Sequence, residues 1–344
     1  MSKTKDQKEA NLKKILKNIG KCVFTGKEIY EEKKNLKTLS IGPSLDFALN
    51  GGVQEGSWLK MTGLPKSGKT STALQIAANA QAEGRKVIYL DAEGRIKSHN
   101  LDGIEGLDLD KMEIIRSSED KIFCAEEFLS LLETMIVLPE NEGALVIIDS
   151  LSSLIPLRDL ESVGVDGERR PGLPKILGDF TKRMGQVIPR TKTIVLMIGH
   201  LITNTSGYGK KHIEDGGLKI QYQADTMMQV KRSDPWIVGQ QKIGQIITWT
   251  IGTSSLGASG TEAVSYFRYG KGLDQIKEII EIAEDFDIVE KSGAWYTLSY
   301  MEKHDKEYDE KKYKFQGVDN LYNYLSENPE DMNYLKQEVE KYRL

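Results

Sequence analysis

The segment GLPKSGKT, residues 63–70, has residue types and spacing suited to holding phosphate groups. It lies between an apolar run, Trp58–Met61, and an amphipathic stretch, Thr70–Ala82, the strand and helix that flank such loops. Glycines let the backbone curl so that its N–H groups point at an anion beside the helix N-terminus. The predicted nucleotide-binding residues are Gly63, Leu64, Pro65, Lys66, Ser67, Gly68, Lys69, Thr70 and Ser71.

Two residues of this loop have separate predicted roles, and a third residue lies elsewhere in the chain. Lys69 would reach the β- and γ-phosphates of ATP, and the hydroxyl of Thr70 would bind Mg²⁺. The apolar run ALVIIDS, residues 144–150, ends in Asp149, which would orient the metal through its water shell. An ordinary acid at a strand end is the alternative interpretation of Asp149.

A second apolar run ends in two acids, in YLDAEG, residues 89–94. Residues two apart on a strand project to the same side, so Asp91 and Glu93 are expected together at the carboxyl end of this strand. Glu93 could reach a water in line with the γ-phosphate and act as a general base. The alternative is a pair of solvated acids.

Composition limits the classes of function. The chain has 344 residues, a net charge of −4 and only two cysteines, Cys22 and Cys124. No apolar run approaches membrane-spanning length, and no signal-peptide core is apparent, so we expect a cytoplasmic protein without a membrane partner. The cysteine count argues against a disulfide framework or a zinc site. Any nucleic acid would be bound by a local groove, because global charge would not attract it.

The remaining pattern predicts an α/β fold with a mainly parallel sheet flanked by helices. Strands are predicted at Trp58–Met61, Lys86–Leu90, Ala144–Ile148, Thr193–Ile198, Met227–Val230, Ile246–Ile251 and Ala294–Leu298. Helices are predicted at 5–19, Thr70–Ala82, Glu126–Leu138, Gln275–Phe286 and Asn320–Lys341, and a mobile loop at Met301–Lys314. The predicted domains are an N-terminal helical arm and linker (1–36), a P-loop ATPase core (37–272) and a small α/β C-terminal domain (273–344).

The three motifs, GLPKSGKT, YLDAEG and LVIIDSLSSL, occur in an order and at separations that resemble the RecA family of DNA recombinases. YGKGLD (269–274) and GAWY (293–296) extend the resemblance over nearly the whole chain. It implies a RecA-type core in which Glu93 activates the hydrolytic water. His200, at the end of IGH, stands where bacterial members have a glutamine that senses the γ-phosphate. A histidine there, together with YQADT (222–226), is similar to the phage branch, UvsX.

The resemblance also implies two DNA-binding loops, at about 157–175 and 201–219. Both are rich in glycine and contain cations, which suits contact with a phosphate backbone. Two solvated surface loops are the alternative, because acids are present in both. The predicted DNA-binding residues are Arg169, Arg170, Lys175, Arg183, Lys210, Lys211, Gly216 and Gly217.

In this family the first helix packs on the next protomer, a head-to-tail contact that builds a filament. The apolar stripe Leu12, Ile15, Leu16 and Ile19 would form that contact, unless the helix folds back on its own core. The implied partners are single-stranded DNA, homologous duplex DNA and further copies of the chain, with a single-strand binding protein and a loader in addition.

Some positions depart from the family pattern. Thr253 and Ser255 stand where RecA has two lysines that reach the neighbour's ATP, so Lys271, Arg268 or another group would have to replace them. The adenine-stacking aromatic falls near Asn100, which leaves selectivity for adenine open.

The expected function is ATP-dependent homologous recombination by DNA strand exchange, with DNA-dependent hydrolysis of ATP to ADP and phosphate and with Mg²⁺ as cofactor. The expected location is a bacterial or phage-infected bacterial cell. A hexameric helicase on the same core and a regulatory ATPase without strand exchange are the alternatives.

Overall fold

The computed structural model describes residues 22–161, 172–203, 212–214 and 218–343. The chain divides into two compact units, Met1–Lys37 and Thr38–Leu344. The smaller unit contains α1 (Gly26–Lys34), whose first turn is closed by a capping box between Thr25 and Glu28. The predicted protomer-contact residues Leu12, Ile15, Leu16 and Ile19 lie outside the described residues, so their role stays a prediction.

The strands of the larger unit are β1 (Thr38–Leu39), β2 (Val53–Gln54), β3 (Trp58–Gly63), β4 (Val87–Asp91), β5 (Met112–Ile115), β6 (Leu145–Asp149), β7 (Ile194–Thr203), β8 (His212–Glu214), β9 (Thr226–Val238), β10 (Gln241–Thr253), β11 (Glu262–Arg268), β12 (Gly272–Leu273), β13 (Glu290–Ser292), β14 (Trp295–Thr297) and β15 (Lys314–Gln316). Its helices are α2 (Pro43–Ala48), α3 (Lys69–Ala82), α4 (Ser98–Leu101), α5 (Ala125–Ile136), α6 (Leu157–Glu161), α7 (Leu173–Met184), α8 (Val187–Thr191), α9 (Leu218–Gln223), α10 (Gln275–Asp285), α11 (Val318–Glu327) and α12 (Pro329–Glu340). Within the described residues, none of the helices is both long and apolar enough to cross a bilayer.

The large sheet is mixed, with the strand order β12-β11-β10-β9-β3-β7-β6-β4-β5, and β8 pairs with β7. Six neighbouring strands of this order run parallel to one another: β9, β3, β7, β6, β4 and β5. An antiparallel set, β10 to β12, follows β9. Every residue of β3, β4 and β6 is buried, as expected for parallel strands covered on both faces. The carboxyl ends of these strands therefore form one edge at which polar side chains can meet.

Two apolar clusters cover the two faces of this sheet. One contains α3 and includes Leu74 and Trp249. The other contains α5 and α7 and includes Trp58 and Phe180, whose rings meet edge to face at 5.9 Å between centroids. Burial on both faces fixes the sheet rigidly, so the loops at its carboxyl edge start from well-defined positions.

The C-terminal region from α10 to α12 has an apolar core of its own around the antiparallel strands β13–β15. The helix predicted over Asn320–Lys341 is interrupted after Glu327, and α12 begins at Pro329, which lacks an N–H and suits a first helical turn. The segment predicted as a mobile loop, Met301–Lys314, contains a buried tyrosine. Tyr313 is 2% exposed and stacks on Tyr308, and its hydroxyl donates to Asp305 Oδ2 over 2.7 Å.

A buried carboxyl group joins this region to the sheet. Glu278 on α10 is fully buried, and its two oxygens accept the backbone N–H groups of Ser44 (3.0 Å) and Tyr266 (3.1 Å). Burial nevertheless raises the pKa of Glu278 to about 8, and burial raises the pKa of nearby Asp46 to about 6. Both groups take up protons on folding, so their contribution to stability is present at low pH and is lost as pH rises.

We expect the free energy of unfolding to fall between pH 6 and pH 8 by up to about 1.4 kcal/mol per pH unit, because the folded state holds a proton on Glu278 that the unfolded state releases. Glu278→Gln should be less stable at pH 6 but should show a flatter pH dependence. Urea denaturation at pH 6, 7 and 8 measures both slopes. Parallel slopes in the two proteins would contradict the assignment to Glu278.

Candidate active site

The loop between β3 and α3 has the geometry of a phosphate-binding loop. Gly68, the N-cap of α3, has φ +95°, and a Cβ there would lie 2.3 Å from Ile247 Cδ1. No side chain caps the N-terminus of this helix, so its N–H groups remain available to an anion. The loop lines a cavity of about 610 Å³, into which Ser67 brings a buried hydroxyl without a partner among the described residues. Seven of the nine predicted residues, Pro65 to Ser71, therefore line a site of suitable size for a nucleotide, whereas Gly63 and Leu64 do not line it.

Lys69 is held at the start of α3 by the loop itself. Its ammonium group donates to the carbonyl oxygens of Gly63 (3.0 Å) and Leu64 (2.9 Å), and the residue is 4% exposed. Burial lowers the pKa of Lys69 to about 8, although Asp149 and Glu93 act in the opposite direction. A phosphate in the cavity would supply the counter-charge that favours the protonated form.

Asp149 ends β6 beside the P-loop. Its Oδ2 accepts the hydroxyl of Thr70 over 2.8 Å and the hydroxyl of Tyr89 over 2.6 Å. Burial raises the pKa of Asp149, and the two hydroxyl groups oppose that rise by stabilising the carboxylate. Burial and the same carboxylate raise the pKa of Tyr89, so its hydroxyl stays protonated and donates.

The oxygens of Thr70 and Asp149 fit a magnesium ion by their chemistry. Mg²⁺ is commonly bound by one or two protein oxygens together with water and substrate phosphates. These two oxygens lie next to each other at the phosphate loop, as that arrangement needs. No cluster of three or more His, Cys, Asp or Glu side chains in the described part of the chain could hold a metal by itself. Any magnesium here would therefore depend on the nucleotide's own oxygens.

Glu93, two residues after β4, and His200, within β7, meet in the same cavity. Nε2 of His200 lies 2.7 Å from Glu93 Oε1, which also accepts the hydroxyl of Ser150 over 3.0 Å. Burial would raise the pKa of Glu93, but the hydrogen bonds from His200 and Ser150 outweigh it and lower that pKa. Glu93 is therefore a carboxylate at neutral pH.

Asp91, the other acid of the pair, also lines the cavity but has a different environment. It is 4% exposed, and its two oxygens accept the backbone N–H groups of Arg95 (3.3 Å) and Ile96 (3.4 Å). Asp91 thus anchors the turn that follows β4, while Glu93 remains available for chemistry.

The comparisons with known proteins agree with this geometry. The sequence model of the RecA N-terminal domain matches residues 6–274, and that of the RecA C-terminal domain matches residues 277–343. The chain belongs to the RecA family. It is 28% identical to Protein RecA of Lactobacillus delbrueckii subsp. bulgaricus, with 98% of each chain covered. The RecA proteins of Thermotoga petrophila (26% identity, 100% of this chain and 94% of that one) and a Sulfurovum species (29%, 96% and 89%) are similar to it over comparable lengths.

Membership defines the activity in general terms. Proteins of this family are DNA-dependent ATPases that use ATP and Mg²⁺ and form filaments on single-stranded DNA. This member of the RecA family is therefore a DNA-dependent ATPase of homologous recombination that carries out DNA strand exchange.

Most of the predicted DNA-binding residues lie outside the described part of the chain: Arg169, Arg170, Lys210, Lys211, Gly216 and Gly217. Lys175 is exposed on α7. Arg183, on the same helix, forms an ion pair with Glu133 of α5, with 2.7 Å between Nη2 and Oε1. Because Arg183 remains 57% exposed, this pair is weak and could be exchanged for a phosphate. The DNA-binding roles stay predictions.

The departures from the family pattern also have structural positions. Thr253 ends β10 and is exposed, as is Ser255. Arg268 is engaged elsewhere: it lies 2.8 Å from Asp274 Oδ2 and stacks over the ring of Trp236. Asn100 lines the cavity from α4.

Several contacts of the site were not predicted from the sequence. Tyr89 lies two residues before Asp91, and Ser150 directly follows Asp149. This closeness to a predicted acid along the chain is a signal that could have suggested both residues. Gln245 had no such signal. Its side chain on β10 donates to the carbonyl oxygen of Lys66 in the P-loop over 3.2 Å, a contact that depends on the antiparallel part of the sheet.

We expect Thr70→Ala to raise the Mg²⁺ concentration needed for half-maximal ATP hydrolysis at least 10-fold, because it removes one of the two oxygens next to the phosphate loop. Thr70→Ser, which keeps the hydroxyl, is the matched control and should behave like the wild type. Initial rates measured over a magnesium series at fixed ATP test this. An unchanged magnesium dependence in Thr70→Ala would show that this hydroxyl is not a ligand.

Proposed function

We propose that this RecA-family chain uses Glu93 as the general base of ATP hydrolysis and His200 as the group that couples hydrolysis to DNA. The observation that carries the proposal is the 2.7 Å contact between Glu93 Oε1 and His200 Nε2. Oε1 is also held by Ser150, and the Ser153 side chain is a further hydrogen-bond partner of the Glu93 carboxylate. Oε2 is engaged by neither His200 nor Ser150, and we assign it as the oxygen that accepts the proton.

In the proposed reaction a water attacks the γ-phosphorus while Glu93 Oε2 takes its proton. The bond between this phosphorus and the bridging oxygen breaks, and ADP leaves with that electron pair. Lys69, once its two carbonyl contacts are replaced by phosphate oxygens, stabilises the negative charge. Thr70 and Asp149 would hold Mg²⁺, which when bound neutralises charge on the β- and γ-phosphates.

Coupling to DNA follows from the position of His200 on β7. A γ-phosphate beside Glu93 would compete with the Glu93 carboxylate for the hydrogen bond to His200 Nε2, and so would change this contact. β7 extends to Thr203, so its last three residues belong to the proposed second DNA loop, 201–219, which also contains β8. The first loop, at about 157–175, follows β6 and Asp149. A change at the phosphate would thus reach both loops along short, rigid strands.

Further assignments belong to the same proposal. The histidine at position 200 favours the phage-type, UvsX-like branch of the family. We place the filament contact in the arm of residues 1–36, the ATPase in 37–272 and a separate small domain in 273–344. The protein would work on single-stranded and homologous duplex DNA in the cytoplasm of a bacterial or phage-infected cell, aided by a single-strand binding protein and a loader.

The experiment compares His200→Ala with His200→Gln. We expect Ala to lose most of the stimulation of hydrolysis by single-stranded DNA, because the hydrogen bond to Glu93 is removed, while ATP binding persists. Gln can still donate to Glu93 and should keep a substantial part of the stimulation. Steady-state hydrolysis with and without DNA, with nucleotide affinity measured alongside, gives both quantities.

Equal DNA stimulation in wild type and His200→Ala would contradict the coupling role.

Electron microscopy of the same samples addresses the alternative functions, a hexameric helicase and a regulatory ATPase. Filaments on single-stranded DNA are expected, whereas closed rings would favour a helicase, and an ATPase indifferent to DNA would favour a regulatory protein.

A further inference from the structure

Two cationic residues that line the nucleotide cavity, Arg95 and Lys97, have no role in the proposed hydrolysis. The lining of the cavity carries four full positive charges, Lys66, Lys69, Arg95 and Lys97, against three carboxylates. Lys66 and Lys69 belong to the P-loop. Arg95 and Lys97 come instead from the turn after β4, on the side of the cavity where Glu93 lies. Arg95 is the nearer of these two to the proposed general base.

The backbone presents Arg95 in a fixed position. Asp91 accepts the N–H groups of Arg95 and Ile96, so the turn is tied back to the end of β4. Ile96 packs against the apolar cluster that contains α3. Gly94, with φ +63°, supplies the left-handed residue that this turn requires. The turn is therefore anchored through backbone and core contacts that do not involve the Arg95 side chain.

The guanidinium of Arg95 lies beside the free oxygen of the general base. Arg95 Nη1 is 3.9 Å from Glu93 Oε2, the oxygen that His200 and Ser150 leave available. This distance is too long for a hydrogen bond, and within the described residues none is found from the guanidinium. The Arg95 side chain is 82% exposed, so the ion pair is weak and does not hold the arginine away from another anion.

We propose that Arg95 binds the terminal phosphate of ATP from within the same chain, next to the attacking water. This inference rests on the proposed function of Glu93. A water between Glu93 Oε2 and the γ-phosphate would lie within reach of a guanidinium that already adjoins Oε2. Planar guanidinium groups bind phosphate oxygens in pairs, and an arginine at a transferring phosphoryl group stabilises the charge that builds up on it.

Arg95 at the terminal phosphate would raise the affinity for ATP but not the affinity for ADP. A residue that contacts the γ-phosphate distinguishes ATP from ADP, whereas a residue that supports the loop or contacts the inner phosphates affects both nucleotides equally. Arg95 would also give this chain a cation at the terminal phosphate, although Thr253 and Ser255 carry no charge.

The test measures the affinities of the full chain for AMP-PNP and for ADP by calorimetry, with Mg²⁺ and without DNA. For Arg95→Gln we expect roughly a 10- to 100-fold loss of affinity for AMP-PNP, the loss of one or two charge-assisted hydrogen bonds, and little change for ADP. Arg95→Lys, which keeps the charge but loses the paired geometry, should have an AMP-PNP affinity between those of the wild type and Arg95→Gln. Single-turnover hydrolysis of ATP should be slower in Arg95→Lys than in the wild type, and slowest in Arg95→Gln.

Arg190→Gln is the matched control, because Arg190 is an exposed arginine on α8, before β7, at the opposite end of the strands. It should match the wild type in every measurement. An equal loss for both nucleotides, or no loss, in Arg95→Gln would overturn the inference while leaving the Glu93 proposal intact. If the wild type itself hydrolysed no ATP, the proposed function would fail first.

Discussion

Three carboxylates meet at the carboxyl edge of one sheet, and the need to give each a partner organises the site. Asp149 is stabilised by the hydroxyl groups of Thr70 and Tyr89, and Asp91 by two backbone N–H groups. Glu93 is stabilised by His200 and Ser150 through a single oxygen. Buried or half-buried charges without such partners would be costly. Glu93 Oε2 is engaged by neither His200 nor Ser150, and Glu93 lines the cavity.

The different partners explain how neighbouring acids acquire different roles. Asp91 is structural, because both of its oxygens are used by the turn that it anchors. Asp149 is held beside a hydroxyl that suits a metal. Of these three acids, only Glu93 combines a lowered pKa with a side-chain contact to β7. That contact with His200 joins the end of β4 to β7, two strands separated in the sheet by β6. The proposed coupling of nucleotide chemistry to DNA rests on this contact.

Much of this arrangement could be predicted from local sequence signals. The P-loop and the buried parallel strands are marked by glycine spacing and by apolar runs, and the predicted strand centres are confirmed. The strands β5 and β11 were missed because β5 has only four residues and the apolar residues of β11 are interrupted by polar ones, as in MEII and EAVSYFR. The predicted C-terminal helix was wrong at Pro329, where the proline begins a second helix. The segment Met301–Lys314 is a loop over most of its length, as predicted, but it begins in the helical turn Ser299–Lys303 and Tyr313 is buried in it. Its mobility stays a prediction.

Contacts between strands were less accessible to sequence reasoning. The contact between Glu93 and His200 spans 107 positions of the chain, and that between Gln245 and Lys66 spans 179. Both depend on the order of strands in the sheet, which no local pattern specifies. The acids could be named from the sequence because strand ends mark them, whereas their hydrogen-bond partners required the folded geometry.

We infer that Glu93 is the base whose action is controlled by DNA. ATP hydrolysis by wild type and Glu93→Gln, each measured with and without single-stranded DNA and with ATP binding in parallel, tests this. We expect DNA to stimulate the wild type strongly, and we expect Glu93→Gln to bind ATP but to lose about 100-fold or more of the stimulated rate. Equal turnover with and without DNA, or a fully active Glu93→Gln, would contradict it.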